Sequence, residues 1–323
     1  MTENRSLLSR GLGMLGRNKR YIFWFWLLNL ILAEFGSSAF SRSAHDILDH
    51  SFYSDRLLHG FDLAVLIELF ARPEFGNLAA AATPALYFAI LFFLATALFL
   101  PGVFQGYASP YRLPRDDFFR VCGRNLWRFI RLMIVAAIVM AIVAGILFSI
   151  RGAIVTKAGE STNELLPFRL RMTGLAVIFL VMTTLRIWFD LAEADIVLSD
   201  QRAVRKSIWT GLKHTFRSLG RLLLSYVVAA AVAVIVLVGG IWIWIKFVPS
   251  ESIVGAFIVG QLILFLLLIP RFWQRGVAVA YWQQKMMIPA VAQPATPPPA
   301  AAPAVPQPPA PAPPVISPET PGT

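Results

Sequence analysis

The stretch RIWFDLAEADIVLSDQRAVRKSI, Arg186–Ile208, holds the densest potential chemistry in the chain. Arg186, Asp190, Glu193, Asp195 and Asp200 follow directly on the uncharged run Met172–Leu185. On a helix, Arg186 and Asp190 stand at i,i+4 and can pair, while Asp190 and Glu193 stand at i,i+3. Carboxylates so placed could form a substrate or ion path, or a clamp with arginines. The position at the end of an apolar run favours the clamp. The expected structural ion pairs therefore use Arg186, Asp190 and Glu193, with Arg124 and Arg128 of an earlier basic segment as further partners. Transporters driven by protons or ions usually carry an ionisable group near the membrane midplane. Here the mid-span polar residues are Asn29, Thr96, Thr183, Thr184 and Gln261, none of them charged.

The second group lies in residues 40–83. His45, His50 and His59 stand among Asp46, Asp49, Asp55 and Asp62. His and carboxylate at i,i+4 can bind Zn²⁺, and His45/Asp49, Asp46/His50 and Asp55/His59 have that spacing. However, His45 and His50 point ~140° apart on a helix of 3.6 residues per turn. The spacing gathers pairs rather than a full ligand set. A metal in this loop would use His45, Asp49, His50 and His59, but the apolar residues between them predict helices lying on the outer membrane surface. No metal or other cofactor is expected. No phosphate-binding glycine loop, nucleophile elbow or HExxH zinc motif is present. The single cysteine, Cys122, excludes an intrachain disulfide.

The elements that would position these residues are membrane helices. Charged residues make up 15% of the chain, against ~25% in ordinary soluble domains. Six apolar segments are long enough to span: Tyr21–Ala39, Pro84–Gly106, Leu132–Ile150, Leu170–Asp190, Leu222–Phe247 and Ile253–Arg271. A span needs ~20 mostly apolar residues and must be helical, because lipid offers its backbone no partners. With the N-terminus placed in the cytoplasm, 21 of the 29 Lys and Arg fall inside. The positive-inside rule then sets both termini in the cytoplasm. The net charge of +11 thus hugs membrane ends, which implies anionic lipid headgroups as partners and no nucleic acid. The sequence SSAF could end a signal peptide after Ala39. The apolar run to Phe35, with Glu34 inside it, favours a retained first helix.

This predicts an all-α, polytopic bundle in three parts. Residues 1–20 form a basic cytoplasmic N-terminus. Residues 21–286 form the six-span membrane domain, with the outer loop 40–83 and cytoplasmic amphipathic helices at 115–131 and 200–221. Residues 287–323 hold 14 of the 22 prolines and predict a disordered, polyproline-rich tail. P-x-x-P occurs at Pro294–Pro297 and Pro303–Pro306, which makes a protein partner for the tail possible.

The two amphipathic segments resemble each other, DDFFRVCGRNLWRFIRL and DQRAVRKSIWTGLKHTFRSLGRL, and each runs into a span. That is a parallel repeat of span, basic helix and span. In the spans that follow, Ala137, Ala141 and Gly145 recur every four residues, as do Ser225, Ala229 and Ala233. Small residues at this spacing let helices approach closely, so the third and fifth spans are expected to pack centrally.

LFLPGVFQGY at the end of the second span and FDLAEADIVLSDQRAVRKSI after the fourth resemble uncharacterised bacterial six-helix integral membrane families. One such relative is the membrane domain found ahead of glycerophosphodiester phosphodiesterases. Asp190 and Ala192 match the Asp-x-Ala-like motif that leads into a basic helix there. The resemblance implies a fold and a bacterial inner-membrane location. It carries no enzymatic activity, since no phosphodiesterase domain is present. The expected role is non-enzymatic: a scaffold or accessory component organising lipid or a partner protein. A small-molecule or lipid permease is the alternative, and a membrane enzyme with a metal in the outer loop comes third.

Overall fold

The computed structural model describes residues 6–48, 78–159, 165–249 and 252–286. All regular structure among them is helical. Helix α1 is Leu7–Arg17, capped by the Ser6 hydroxyl, which accepts from the Ser9 amide at 3.3 Å. Helix α2 is Arg20–Leu48, α3 is Leu78–Ala108, α4 is Arg115–Gly159 and α5 is Leu165–Leu198. Helix α6 is Val204–Arg217, α7 is Leu219–Phe247 and α8 is Ile253–Tyr281, which ends in a π turn, Trp282–Met286. Among the described residues, five helices are long and apolar enough to cross a membrane: α3, α4, α5, α7 and α8. The expected first span, Tyr21–Ala39, lies in α2, whose side chains beyond Phe35 fall outside the described residues.

Two expected boundaries differ. The amphipathic segment 115–131 is no separate helix, because α4 runs unbroken for 45 residues. That is ~68 Å at 1.5 Å per residue, about twice the hydrocarbon thickness. No glycine or proline interrupts the join at Arg131–Leu132, so the helix simply continues. The helix that carries the expected span Ile253–Arg271 does not stop at Arg271. Helix α8 passes through Pro270 and Arg271 and ends at Tyr281.

The core sits at the end that carries α1 and α6, called the basic end below. There Phe189–Val197 of α5 and Val277–Trp282 of α8 are buried on every face. A helix buried all round occupies the centre of its bundle. Leu100, Phe104 and Tyr107 of α3, Phe129 and Leu132 of α4, and Leu222 and Tyr226 of α7 close around them. Away from this end, the apolar stretches of α4 and α7 expose Ile138, Ile142, Ile146, Ile235 and Val238, as lipid-facing surface requires.

This arrangement corrects the expected packing of the third span. Ala137, Ala141 and Gly145 are exposed, and a Cβ on Gly145 would meet nothing within 4 Å. The face of α4 that packs inward carries Met133, Ala136 and Val139. A small-residue stripe states how close a neighbour can come, but not whether one is there. The stripe on α7 does turn inward: Ser225 and Ala229 are buried and Ala233 is half-buried. The centre belongs to α5 and α8 rather than to the third and fifth spans.

Candidate functional site

Two short amphipathic helices are fastened to the two central spans in the same way. Helix α6 lies on α5 and buries Ser207, Gly211 and Thr215. Helix α1 lies on α8 and buries Leu7, Gly11 and Leu15. Glycine at the middle position allows backbone to touch backbone. A Cβ on Gly211 would stand 2.9 Å from the Trp188 carbonyl oxygen, and one on Gly11 would stand 2.8 Å from the Val277 amide nitrogen. A tryptophan bolts each crossing. Trp188 Nε1 donates to the Ile208 carbonyl at 2.7 Å, and Trp273 Nε1 donates to the Leu8 carbonyl at 2.9 Å. Both tryptophans sit in an Arg-x-Trp sequence, Arg186–Trp188 and Arg271–Trp273. Both short helices then end at a polar residue with nearly the same backbone: Asn18 at φ −117°, ψ 31° and Ser218 at φ −130°, ψ 28°. The best structural counterpart of α6 is therefore α1. The start of α4 packs on α3 through side chains rather than backbone, with Phe118 and Cys122 against Gly102.

Between the two locks lies a buried polar cluster. Helix α5 contributes Arg186, Asp190 and Glu193, α7 contributes Tyr226, and α8 contributes Arg271, Gln274 and Arg275. Asp190 Oδ2 accepts from the Tyr226 hydroxyl at 2.9 Å and from Arg271 Nη1 at 3.4 Å. Gln274 Nε2 donates to the Tyr226 carbonyl at 3.3 Å. The cluster thereby ties three spans together. Arg186 and Arg275 lie within electrostatic range of both carboxylates. Yet Arg186 Nε, Arg275 Nε and Glu193 Oε2 are buried and have no hydrogen-bond partner among the described residues. Buried polar atoms rarely stay unpaired, so the cluster can hold water or a small polar ligand.

The expected clamp changes partners. Asp190 pairs with Arg271 rather than with Arg186 or with an arginine of residues 120–131. The i,i+4 spacing allows the Arg186 pair, but α8 and α7 approach the same face of α5 and present Arg271 and Tyr226 first. Glu193 forms no ion pair among the described residues. Arg128 and Arg124 reach Asp200 instead, at 2.8 and 3.8 Å. The Arg128 hydrogen bond, more than the nearby charges of Arg124 and Arg202, holds the Asp200 carboxyl below the usual carboxylate range. Asp200 itself has φ 49°, a left-handed conformation that Asp tolerates better than most residues. Asp195, also buried, accepts from Ser199 Oγ at 2.8 Å and from Trp282 Nε1 at 3.4 Å.

The metal candidates Asp49, His50 and His59, and the His45 side chain, lie outside the described residues. Among the described residues, no group of three or more His, Cys, Asp or Glu could hold a metal. The Pro-rich tail also lies outside them. Comparison with protein-family models, with curated proteins and with solved structures finds no match for this chain.

Proposed function

We propose that this is a non-enzymatic, multi-pass membrane protein that organises anionic lipid along its basic end. The observation that carries the reading is the outer face of α6. Trp209 and Phe216 are 68% and 64% exposed and lie ~20° apart on the helix at 100° per residue. Lys206, Lys213 and Arg217 lie within ~40° of one another on the adjoining face and are exposed. Aromatic residues beside a basic stripe are the signature of a helix lying in the lipid interface. The glycine and tryptophan lock under α6 fixes that face to the central span α5. Each Lys or Arg near an anionic surface adds ~1 kcal/mol of attraction.

The same reading takes the basic end as cytoplasmic, α2 as a sixth span, and a bacterial inner membrane as the location. Reporter fusions after residues 120, 210 and 290 would then report cytoplasm, and those after 60, 160 and 250 the outside. The functional test is the lipid retained by the full chain purified in mild detergent. Extracted and weighed by mass spectrometry, it should hold a several-fold higher anionic share than the source membrane. A share equal to the source membrane would reject the reading.

A permease is the second reading, favoured by one observation, the buried Glu193 Oε2 and Arg275 Nε that have no hydrogen-bond partner among the described residues. It requires uptake into sealed vesicles that depends on the protein and is lost in Glu193→Gln. The lipid-organising role requires no such uptake.

A further inference from the structure

The break between α6 and α7 opens into a pocket of about 620 Å³. Its polar walls are His214, Arg217, Ser218, Arg221, Tyr281 and Lys285. Tyr281 is buried and fixes the back wall, its hydroxyl bonded to Ser218 Oγ at 2.9 Å and to the His214 carbonyl at 3.3 Å. The three cations Arg217, Arg221 and Lys285 converge on the space. None of their charged side-chain groups makes a hydrogen bond or ion pair to another described residue.

The equivalent break between α1 and α2 indicates what such a place binds. There Arg17, the counterpart of Arg217, donates to the carbonyls of Tyr107 at 3.2 Å and Ser109 at 2.7 Å. Asn18, the counterpart of Ser218, donates to the Gly106 carbonyl at 3.3 Å. Arg20 donates to the Leu113 carbonyl at 3.0 Å. Carbonyl oxygens from the end of α3 and the α3–α4 connection thus fill that break. The break at Ser218 also offers three positive charges, and no described residue supplies oxygens to them.

We propose that this pocket binds a phosphate-bearing anion and that its source is the headgroup of a phospholipid. Phosphate presents several charged oxygens to convergent Arg and Lys donors. The lipid source follows from α7. Leu224, Ala231, Ile235, Val238 and Trp242 are exposed and lie within ~60° of one another on one face of the helix. That stripe starts one turn beyond the pocket and runs ~27 Å, close to the hydrocarbon thickness. A headgroup in the pocket therefore has a matching track for its acyl chains. The choice of lipid over free phosphate rests on the lipid-organising reading; the anion site does not.

The test uses the full chain in phosphatidylcholine nanodiscs, with phosphatidylglycerol and, separately, inorganic phosphate as probes. Wild type is compared with Arg217→Gln, Lys285→Gln and the control Lys213→Gln, an exposed cation outside the pocket. Either pocket variant should weaken phosphatidylglycerol binding about tenfold or more. Lys213→Gln should weaken it less, by no more than about fivefold, as one surface charge implies. Tighter binding of inorganic phosphate with the same variant pattern supports the anion site and assigns it a free anion instead of a lipid. Equal weakening by all three variants overturns the pocket while leaving a general attraction to anionic lipid intact. Wild type binding neither probe overturns both.

Discussion

Replacing Gly211 by alanine adds one methyl group at the tightest point between α6 and α5. The new Cβ would stand 2.9 Å from the Trp188 carbonyl oxygen and 3.1 Å from the Ala192 amide nitrogen. Both are backbone atoms of a helix buried on all sides, so neither can swing away as a side-chain end would. Overpacking of this kind costs about 1–3 kcal/mol. Alanine in a helix interior returns about 1 kcal/mol relative to glycine. The net expectation is a loss of about 1 kcal/mol. Gly123 on α4 is the control, since a Cβ there meets nothing within 4 Å. Gly123→Ala should keep only the propensity gain, up to about 1 kcal/mol. Gly11→Ala should behave like Gly211→Ala, because its Cβ would stand 2.8 Å from the Val277 amide nitrogen. The assay is the thermal unfolding midpoint of each purified full chain in one detergent. Opposite shifts for Gly211 and Gly123, with Gly11 following Gly211, are expected. Equal gains at all three positions would refute the backbone contact on which the paired locks rest.

Asp190→Asn keeps an acceptor for Tyr226 but leaves Arg271 without its charge partner. With Arg271 28% exposed, the loss should fall below the ~3–5 kcal/mol of a fully buried pair, and Arg271→Gln in the same chain should restore part of it in a thermal scan. Breaking the Arg128–Asp200 pair by Arg128→Gln should cost less than ~1 kcal/mol and matter little in high salt, because Asp200 is half exposed. The Asp200 pair stabilises only where Asp200 is ionised more readily than in the unfolded chain. Its contribution is thus present above about pH 4 and lost as pH falls through the lowered folded value, which a salt-dependent acid unfolding curve would read. His214 is shifted in the same direction: burial first, then Arg217 and Lys213, hold its imidazole below the ordinary range against the opposing pull of Asp195. Tyr281, Arg221 and Lys285 also face that end of α6. The unfolded chain takes up the proton first, so stability should fall as pH drops through about 6.5, and His214→Gln should flatten that part of the curve.

The apolar spans and the concentration of charge after Leu185 are readable from composition and period alone, because lipid imposes a simple demand on every span. The partners of that charge are not, because helix spacing reports only neighbours on the same helix. Arg271, Gln274 and Arg275 were readable as a polar i,i+3/i+4 face, but they follow Pro270 and look like the end of a span. The apolar run GVAVAYW after them, residues 276–282, is the sign that the helix goes on and carries them inward. Residues 1–20 read as a plain basic terminus, since no pattern in a single short helix tells that it has a span to lie on. Its likeness to α6 was nevertheless present in the sequence: a glycine, then a polar break seven residues later, at Gly11–Asn18 and Gly211–Ser218. The doubled Arg-x-Trp gives the other half of each lock. The outward turn of Ala137, Ala141 and Gly145 had no such sign, because spacing alone does not say which face of a helix has a neighbour.

The most direct test of the lipid-organising role is the selectivity of the reconstituted full chain for spin-labelled phosphatidylglycerol over spin-labelled phosphatidylcholine, measured by electron spin resonance. The basic, aromatic face of α6 and the cationic pocket beside it predict a clear preference for phosphatidylglycerol. That preference should fall as salt is raised to ~1 M, where the screening length shrinks to ~3 Å, and should fall again when Lys206 and Lys213 are both changed to glutamate. Equal association of the two lipids at low salt, unchanged by the double variant, would contradict the account.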